Sequence, residues 1–598
     1  MPWPLAKAQL NPAPSTAIDQ RLSMNHYKFL HLFNIFNPSN AAPMSSEEIG
    51  DTTRLLPDSS ESSTSQRSRW LFARLSAALL WGGFVTAIDE SFVLAQNGQI
   101  ASQFSQFRNS SLLIIVYAIV NTVSNPLLGK LAQKQAKSQV VIASALLFGL
   151  GNVLCSISGR WPLIVTSRGI VGLGGAGLGL MATILWSDTQ SLADLAIWHS
   201  YSVVAETLGW VAGGPTGELL TDASSWRVMF AVQASCTVPV LALVLFPPRC
   251  TWPGRLEPTK SADLVPDRGT GRSSFDVVGA FLCVFVFLPP IIALSLGGEH
   301  LPWRHPVIIS LLSVTVPAVA AFVLWELRTT CEPIIPVRLI FGINLSRPFI
   351  CLLLLMISHN SVLFLLPLYA QVEYFGFARS HGIVVSVFMM SMTLGAVIGA
   401  RFVKRYGPNL PLVVTLSLLA ICSWVLSQGL TAPNHWLFLP TVGFVGLLAG
   451  TPPNCLLVCV IRFSPPQDRA VVISMFQVFE AFGGVLAITI TSTSLRLLTM
   501  AELRQRIGTD PASEKMFKHF LEDVDYLGSV PSDMREAMQA AYGVAARKCC
   551  LIALTSCIAA VLSAAILPRL QLYPENLRSG DDLQAEVASD SETDHIDT

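Results

Sequence analysis

Residues 206–222 read ETLGWVAGGPTGELLTD and sit inside a long apolar run. Gly209, Gly213, Gly214, Pro215 and Gly217 fall within nine positions of one another. In a soluble helix each glycine would cost about 1 kcal/mol and the proline about 3 kcal/mol. In a membrane helix the arithmetic changes. Small residues four apart let a neighbouring backbone approach closely, and packing re-satisfies the groups that proline frees. A lone Gly-Pro pair in an apolar helix is ordinarily a kink. The full G-x3-G-G-P-x-G run, followed by Ser225-Trp226-Arg227, is far more specific and points to a helix whose job is close packing.

Composition agrees with a membrane setting. Of 598 residues, 52% are hydrophobic and 13% are charged. Soluble proteins carry about 25% charge, so this is an all-α polytopic membrane protein. The twelve cysteines lie mostly in apolar runs and show no metal-ligand spacing or disulfide framework. The adjacent Cys549 and Cys550 beside Lys548 are a candidate palmitoylation pair, against an ordinary reading as helix packing.

A span takes about 20 apolar residues. Such runs centre on 72–95, 111–129, 139–158, 162–186, 198–220, 226–246 and 275–296, then on 306–326, 348–371, 382–402, 411–430, 436–461, 470–495 and 549–568. The expectation is about 14 transmembrane helices, and an even number puts both termini on one side. Basic residues cluster in the loops on that side, as at Lys130, Lys134 and Lys137, Arg249 to Arg272, Arg401 to Arg405, and Arg462 with Arg469. The opposite short loops hold little beyond Arg108, Arg160, Arg304 and Arg379. By the positive-inside rule both termini are cytosolic.

Domain organisation follows. Residues 1–69 are expected to be a disordered cytosolic tail, 70–246 a six-helix bundle, and 247–345 a linker with two extra helices. A second six-helix bundle occupies 346–570 and includes an extracytosolic loop at 498–546, and 571–598 form an acidic disordered tail. A partial internal repeat supports two halves. Gly129-Lys-Leu-Ala-Gln-Lys-Gln-Ala-Lys137 closes the second span, and Gly399-Ala-Arg-Phe-Val-Lys-Arg-Tyr-Gly407 closes the tenth. Transporters built from repeats place substrate near the midplane between them.

The N-terminal tail has no apolar core for a cleavable signal peptide, Tyr27–Phe36 reads as a short interfacial helix, and Met44 offers an alternative start. Asp51, Leu55 and Leu56 fit D-x-x-x-L-L, an acidic dileucine sorting signal for a vesicle adaptor. Short patterns of this kind also arise by chance, but here the setting is a polar tail close to the first span.

Ionisable groups inside spans are costly and are functional candidates by default. The sequence offers Asp89 and Glu90 in span 1, Arg168 in span 4, Glu206 in span 5, His359-Asn360 in span 9 and Glu480 in span 13. Each has a plainer reading: Asp89 near the solvated extracytosolic end, His359 and Asn360 simply bonding a neighbouring helix. Arg168 is harder to explain away, because a guanidinium cannot neutralise itself and needs a carboxylate. Asp89 or Glu206 would serve. Desolvation favours the neutral form of a carboxyl group, so carboxylates in spans can take and release protons across a physiological gradient. A cationic substrate could compete with those protons, or with arginine, for the same carboxylate.

These motifs resemble the major facilitator superfamily, in particular its fourteen-span drug:proton antiporters. The glycine run matches that family's fifth-helix antiporter signature, which the resemblance assigns to sealing a helix interface. Ala87-Ile-Asp89 resembles its first helix, Arg168 with Gly172 and Gly174 its fourth, and Ser187-Asp188 the start of the next loop. Phe275-Asp276-x-x-Gly279, Leu294-Ser-Leu-Gly297-Gly298 and Trp303 resemble its extra seventh span, and Glu332-Pro-Ile-Ile-Pro-Val-Arg338-Leu the loop after the eighth. GGPTGELLTDASSWRVMFAVQ is most similar to fungal vacuolar basic amino acid transporters. The resemblance implies a major facilitator fold and proton-coupled uptake of lysine, arginine and histidine into the vacuole. Gly129, Lys130, Lys134 and Lys137 then form the cytosolic gating loop. In that loop Gln133 stands in place of the family's aspartate and Ala136-Lys137 in place of Gly-Arg, while Glu218 replaces a usual glycine.

Three readings compete: a vacuolar importer of basic amino acids, a plasma-membrane exporter of drugs or secondary metabolites, and a non-transporting nutrient sensor. The expected partners are a small-molecule substrate, protons and the lipid bilayer. No nucleotide loop, metal cluster or nucleophile motif supports an enzyme, no cofactor is called for, and no basic patch supports nucleic-acid binding.

Overall fold

The computed structural model describes residues 59–568, apart from 107–108, 135–136, 246–275, 298–300, 330–334, 374–379, 431–434, 509, 523–527 and 529. The chain divides into two units, Met1–Thr64 and Ser65–Thr598, and almost all of the first lies outside the described residues. The sorting signal at Asp51, Leu55 and Leu56, the possible start at Met44 and the tail at 571–598 also lie outside them.

Within the second unit the described elements are helical. The first half comprises α1 (Ser59–Gln103), α2 (Leu112–Lys134), α3 (Lys137–Ile157), α4 (Trp161–Thr189), α5 (Leu192–Ala223) and α6 (Trp226–Leu245). Two further helices follow, α7 (Val277–Leu296) and α8 (Pro306–Arg328), then the short α9 (Val337–Ile340). The second half comprises α10 (Ile343–Glu373), α11 (Ser380–Tyr406), α12 (Asn409–Gly429), α13 (His435–Ala449), α14 (Thr451–Arg462), α15 (Arg469–Ile507), α16 (Pro511–Glu522) and α17 (Ser532–Ala565).

Among the described residues 13 helical segments are long and apolar enough to cross a membrane, with α13 and α14 counted as one span. The remaining long helix, α5, is less apolar because it carries Asp194, Glu206, Glu218 and the glycine run. With it, a helix stands at each of the fourteen expected positions. The break within the α13–α14 span follows from Pro452 and Pro453, which have no N–H to continue the ladder. Pro215 does not break α5, which stays helical from Leu192 to Ala223.

Two boundaries differ from expectation. The first helix begins at Ser59, so the last part of the tail expected to be disordered is helical. The 498–546 segment is mostly helical as well: α15 runs to Ile507, α16 lies within the segment, and α17 starts at Ser532. Polar residues had masked these extensions, since helices leaving the bilayer no longer need apolar side chains. Lys548 Nζ ties α17 to Glu502 of α15 at 2.6 Å.

The glycine run does what its spacing suggested. Residues four apart share one helix face, and Gly209, Gly213 and Gly217 lie against α1. A Cβ at Gly213 would stand 2.6 Å from the Ile88 carbonyl oxygen and 2.7 Å from Ser91 Cβ. One at Gly209 would strike the Phe84 carbonyl oxygen, and one at Gly217 the Phe92 ring. Ser91 Oγ donates to the Trp210 carbonyl at 2.7 Å and fastens the seam. Gly214 faces open space, its nearest neighbour being Ser91 Oγ at 3.9 Å from a built Cβ. At the far end, Trp226 Nε1 and Arg227 Nη1 both donate to Gln103 Oε1, while Arg227 Nη2 donates to the Ser158 carbonyl. The Ser-Trp-Arg that follows the run thus joins the C-terminal ends of α1 and α3 to the start of α6.

The pair α7–α8 is peripheral. Asp276 caps α7 by accepting from the Gly279 N–H at 2.8 Å and receives Trp325 Nε1 of α8 at 3.0 Å. Ile291 of α7 packs in one cluster with Ile119 and Val123 of α2, with Phe482 and Val485 of α15 beside it. The extra pair therefore covers one seam between the halves.

Overpacking a tight interface costs about 1–3 kcal/mol. Gly213→Leu is expected to lower the thermal stability of the detergent-solubilised protein by that amount, whereas Gly214→Ala is expected to leave it within about 0.5 kcal/mol of wild type. Equal melting temperatures for Gly213→Leu and wild type would contradict the α1–α5 seam.

Candidate functional site

The centre of the first half holds a buried ion pair. Arg168 Nη1 of α4 donates to Asp89 Oδ2 of α1 at 2.7 Å, with both side chains essentially inaccessible, at 1% and 0%. Arg168 Nε also donates to the Leu113 carbonyl at 3.3 Å, and the guanidinium lies 4.8 Å from the centre of the Tyr117 ring. Of the two partners the sequence allowed, Asp89 takes the role. It is fully buried, not at a solvated helix end. Its second oxygen, Oδ1, has no hydrogen-bond partner among the described residues. The Tyr117 hydroxyl faces Glu90 closely enough to interact, but no partner completes a well-aligned bond. Removing one member of such a pair strands the other charge, at a cost of about 3–5 kcal/mol.

Three further carboxyls lie within electrostatic reach in series: Glu90 of α1 with Glu206 of α5, and Glu206 with Glu480 of α15. The surface of Glu206 is exposed although helices surround it, as for a group lining an internal cleft. It accepts from Ser202 Oγ at 2.8 Å and packs beside Gly83 of α1. Among the described residues neither Glu206 nor Glu480 has an ion-pair partner. Glu206 belongs to the first half and Glu480 to the second, so the constellation spans the junction where two rocking bundles would meet.

His359 and Asn360 sit on α10, nearby in the second half. Asn360 Nδ2 donates to the Met356 carbonyl of its own helix at 3.0 Å, and Gly484 of α15 lies alongside it. His359 packs against Phe388, with ring centres 5.4 Å apart, and its Nδ1 is buried without a partner among the described residues. The plainer expectation, a bond from each to a neighbouring helix, is met by neither of these atoms.

Among the described residues four side-chain bonds join the halves. Lys404 Nζ of α11 meets Asp194 Oδ1 of α5 at 2.7 Å, and Gln133 Nε2 of α2 donates to the Gln467 carbonyl at 2.7 Å. His199 Nδ1 of α5 meets Asn454 Oδ1 of α14 at 2.7 Å, and Thr207 meets Thr393 hydroxyl to hydroxyl at 2.6 Å. All lie between mid-span and the helix ends that the positive-inside rule assigns to the cytosol, so the bundle is closed towards that side. The Asn454 amide donates its Nδ2 to the Ala396 carbonyl, which fixes Oδ1 as acceptor and His199 Nδ1 as donor.

The loop at 129–137, expected from the resemblance to gate the cytosolic side, lies at this closure. Gly129 lies against Ser474 and the Ala470 carbonyl of α15, Lys130 is buried, and Lys137 pairs with Asp188 at the end of α4. The side chain of Lys134 lies outside the described set. Gln133, the residue that departs from the family pattern, itself bridges the halves. His199, Asn454, Thr207 and Thr393 were not singled out from the sequence. His199 had a signal, an ionisable residue within a span; the other three look like ordinary polar packing until the partner helix is known.

A family model for the Major Facilitator Superfamily matches residues 71–488. Multidrug resistance protein fnx1 of Schizosaccharomyces pombe is 27% identical over 78% of this chain and 87% of its own length. The vacuolar membrane amino acid uptake transporter fnx2 of the same yeast is 24% identical over 78% of this chain and 79% of its own. Vacuolar basic amino acid transporter 2 of Saccharomyces cerevisiae is 23% identical over 76% of this chain and 96% of its own. With that match running from the first span into α15, the chain belongs to the major facilitator superfamily and is a multi-pass membrane transporter, not an enzyme.

Proposed function

We propose that this transporter exchanges protons for small cationic solutes, basic amino acids foremost, and loads them into the vacuole by alternating access. The observation that carries the reading is the series Glu90, Glu206 and Glu480, carboxyls grouped across the junction of the halves, of which Glu206 and Glu480 have no ion-pair partner among the described residues. A cation entering from the cytosol supplies the charge that Glu206 and Glu480 lack. On the acidic lumenal side protons neutralise the same groups and release it. The cytosol-closed arrangement corresponds to the discharging state. Asp89 and Arg168 neutralise each other, and the unpartnered Asp89 Oδ1 leaves that pair one position at which to accept a proton.

Similarity to the vacuolar amino acid transporters supports the location, as does D-x-x-x-L-L at Asp51, Leu55 and Leu56, read as the docking site of a vesicle sorting adaptor. The second reading, a plasma-membrane efflux pump for drugs or secondary metabolites, draws on the likeness to the multidrug resistance protein. It uses the same carboxyls on another membrane.

The direct test is accumulation of labelled lysine or arginine, with ATP, in vacuolar vesicles from cells with and without the chain. Extra uptake that a protonophore abolishes is expected; equal uptake in both vesicle preparations would contradict the proposal. A hydrogen bond to a charged group contributes about 1.5–3 kcal/mol, so Glu206→Gln and Glu480→Gln should each lower uptake roughly ten- to a hundredfold at normal protein levels. Asp89→Asn should deplete the folded protein by stranding Arg168, and Asp89→Asn with Arg168→Gln should restore its amount but not its transport. Unchanged protein levels in the single variant would argue against the buried pair. Leu55→Ala with Leu56→Ala should move a fluorescently tagged chain from vacuole to plasma membrane; retention at the vacuole would remove the sorting role.

A further inference from the structure

The outer face of the second half carries a groove unrelated to the carboxyl series. About 440 Å³ in volume, it lies between α11, α12 and the broken α13–α14 span. Ile398, Phe402 and Tyr406 form one wall, Leu410 and Val414 another, and Leu447 and Leu448 the floor. Its origin is local. Gly395 and Gly450 let the backbones of α11 and the α13–α14 junction touch, and a Cβ at Gly450 would lie 2.6 Å from Ala396 N. Thr451 Oγ1 locks the contact by donating to the Gly395 carbonyl at 3.0 Å. Just beyond, Pro452 and Pro453 deprive the Leu448 and Ala449 carbonyls of their ladder donors and the span breaks; α12 packs against the broken span but meets α11 only sparsely, which leaves the groove between them.

The groove runs to the cytosolic end of α11, at headgroup level. There the charge is one-sided. Helical spacing puts Lys404 on the opposite side of α11, where it reaches Asp194 of the first half. Arg405 and Arg401 are one turn apart and both exposed; helical spacing places Arg405 beside the groove's Tyr406 and Phe402, and Arg401 donates Nη1 to the Val397 carbonyl of its own helix at 3.0 Å, a bond that a phosphate would replace. The Arg405 guanidinium stands 5.4 Å from the centre of the Tyr406 ring, which lines the groove, and Tyr406 stacks on Phe402. An apolar slot open to lipid, with Arg405 and an aromatic stack at its cytosolic mouth and Arg401 one turn deeper, has the layout of a headgroup site on a membrane helix bundle.

We propose that the groove binds one anionic phospholipid of the cytosolic leaflet, its acyl chain along Ile398, Phe402 and Val414 and its phosphate on Arg401 and Arg405. Guanidinium groups suit phosphate because they present paired donors in a plane. The site backs directly onto Lys404, so an occupied groove fixes the helix that holds one of the four bonds closing the cytosolic side. A lipid of this kind would stabilise the cytosol-closed form.

The test uses the full-length protein purified in detergent and supplied with phosphatidylserine or phosphatidylcholine. Phosphatidylserine is expected to raise the melting temperature at least about 2 °C more than phosphatidylcholine does, and to stay bound in native mass spectra. Arg401→Gln with Arg405→Gln should erase that difference, and Val414→Trp, which fills the slot from its lipid face, should reduce retention of both lipids. Equal effects of the two lipids on the wild-type protein, or a preference for phosphatidylserine that survives the double arginine substitution, would overturn the proposal. Should the arginine variant fail to fold, phosphatidylserine with a diazirine on its acyl chain decides on the wild-type protein. Labelling of Phe402, Tyr406 or Val414 supports the site, and labelling confined to other helices refutes it.

Discussion

A charge inside a span must find a partner or reach water, and Arg168 can do neither alone. Its pairing with Asp89 therefore fixes where α1 stands against α4. That position is reachable only because Gly209, Gly213 and Gly217 let the backbone of α1 sink against α5. The glycine seam and the ion pair thus hold opposite sides of the same helix. Between them, one residue after Asp89, Glu90 is carried towards Glu206. The carboxyl series is a product of that clamp.

The closure of the cytosolic side is lightly built. Lys404 and Asp194 are both substantially exposed, at 45% and 37%, and a pair of this kind contributes about 0.2–1 kcal/mol. The other bonds, through Gln133, His199 and Thr207, join neutral groups or a backbone carbonyl, worth about 0.5–1.5 kcal/mol each. The helix packing between the halves adds to these bonds, and the gate opens through the differential binding of substrate and protons to its two states. Where the family pattern places an acidic residue, Gln133 bridges the halves without charge, so this part of the closure is insensitive to ionic screening.

Much of this was legible in the chain. Span positions follow from apolar length, the helix-packing role of the glycine run from spacing, and the need of Arg168 for a carboxylate from its inability to shed charge. Which carboxylate it takes was not legible, because Asp89 and Glu206 are equally acidic and only the crossing of α1, α4 and α5 separates them. The neutral bonds between halves were hidden for the same reason: Thr207 and Thr393 are 186 positions apart and nothing in either marks the other. His199 could have been found by the rule that found His359. The helical stretch within 498–546 was missed because a helix outside the bilayer loses the apolar signature by which spans are recognised.

The central claim is that protons and a cationic solute compete for the same carboxyls at the junction of the halves. It is tested most directly with the purified chain in liposomes holding an acidic interior and a pH-sensitive dye, to which lysine or arginine is added outside. The account predicts that the solute enters as protons leave, and that Glu206→Gln with Glu480→Gln abolishes both movements together in correctly inserted protein. Solute uptake indifferent to the pH gradient, or proton movement that survives the double substitution, would contradict it.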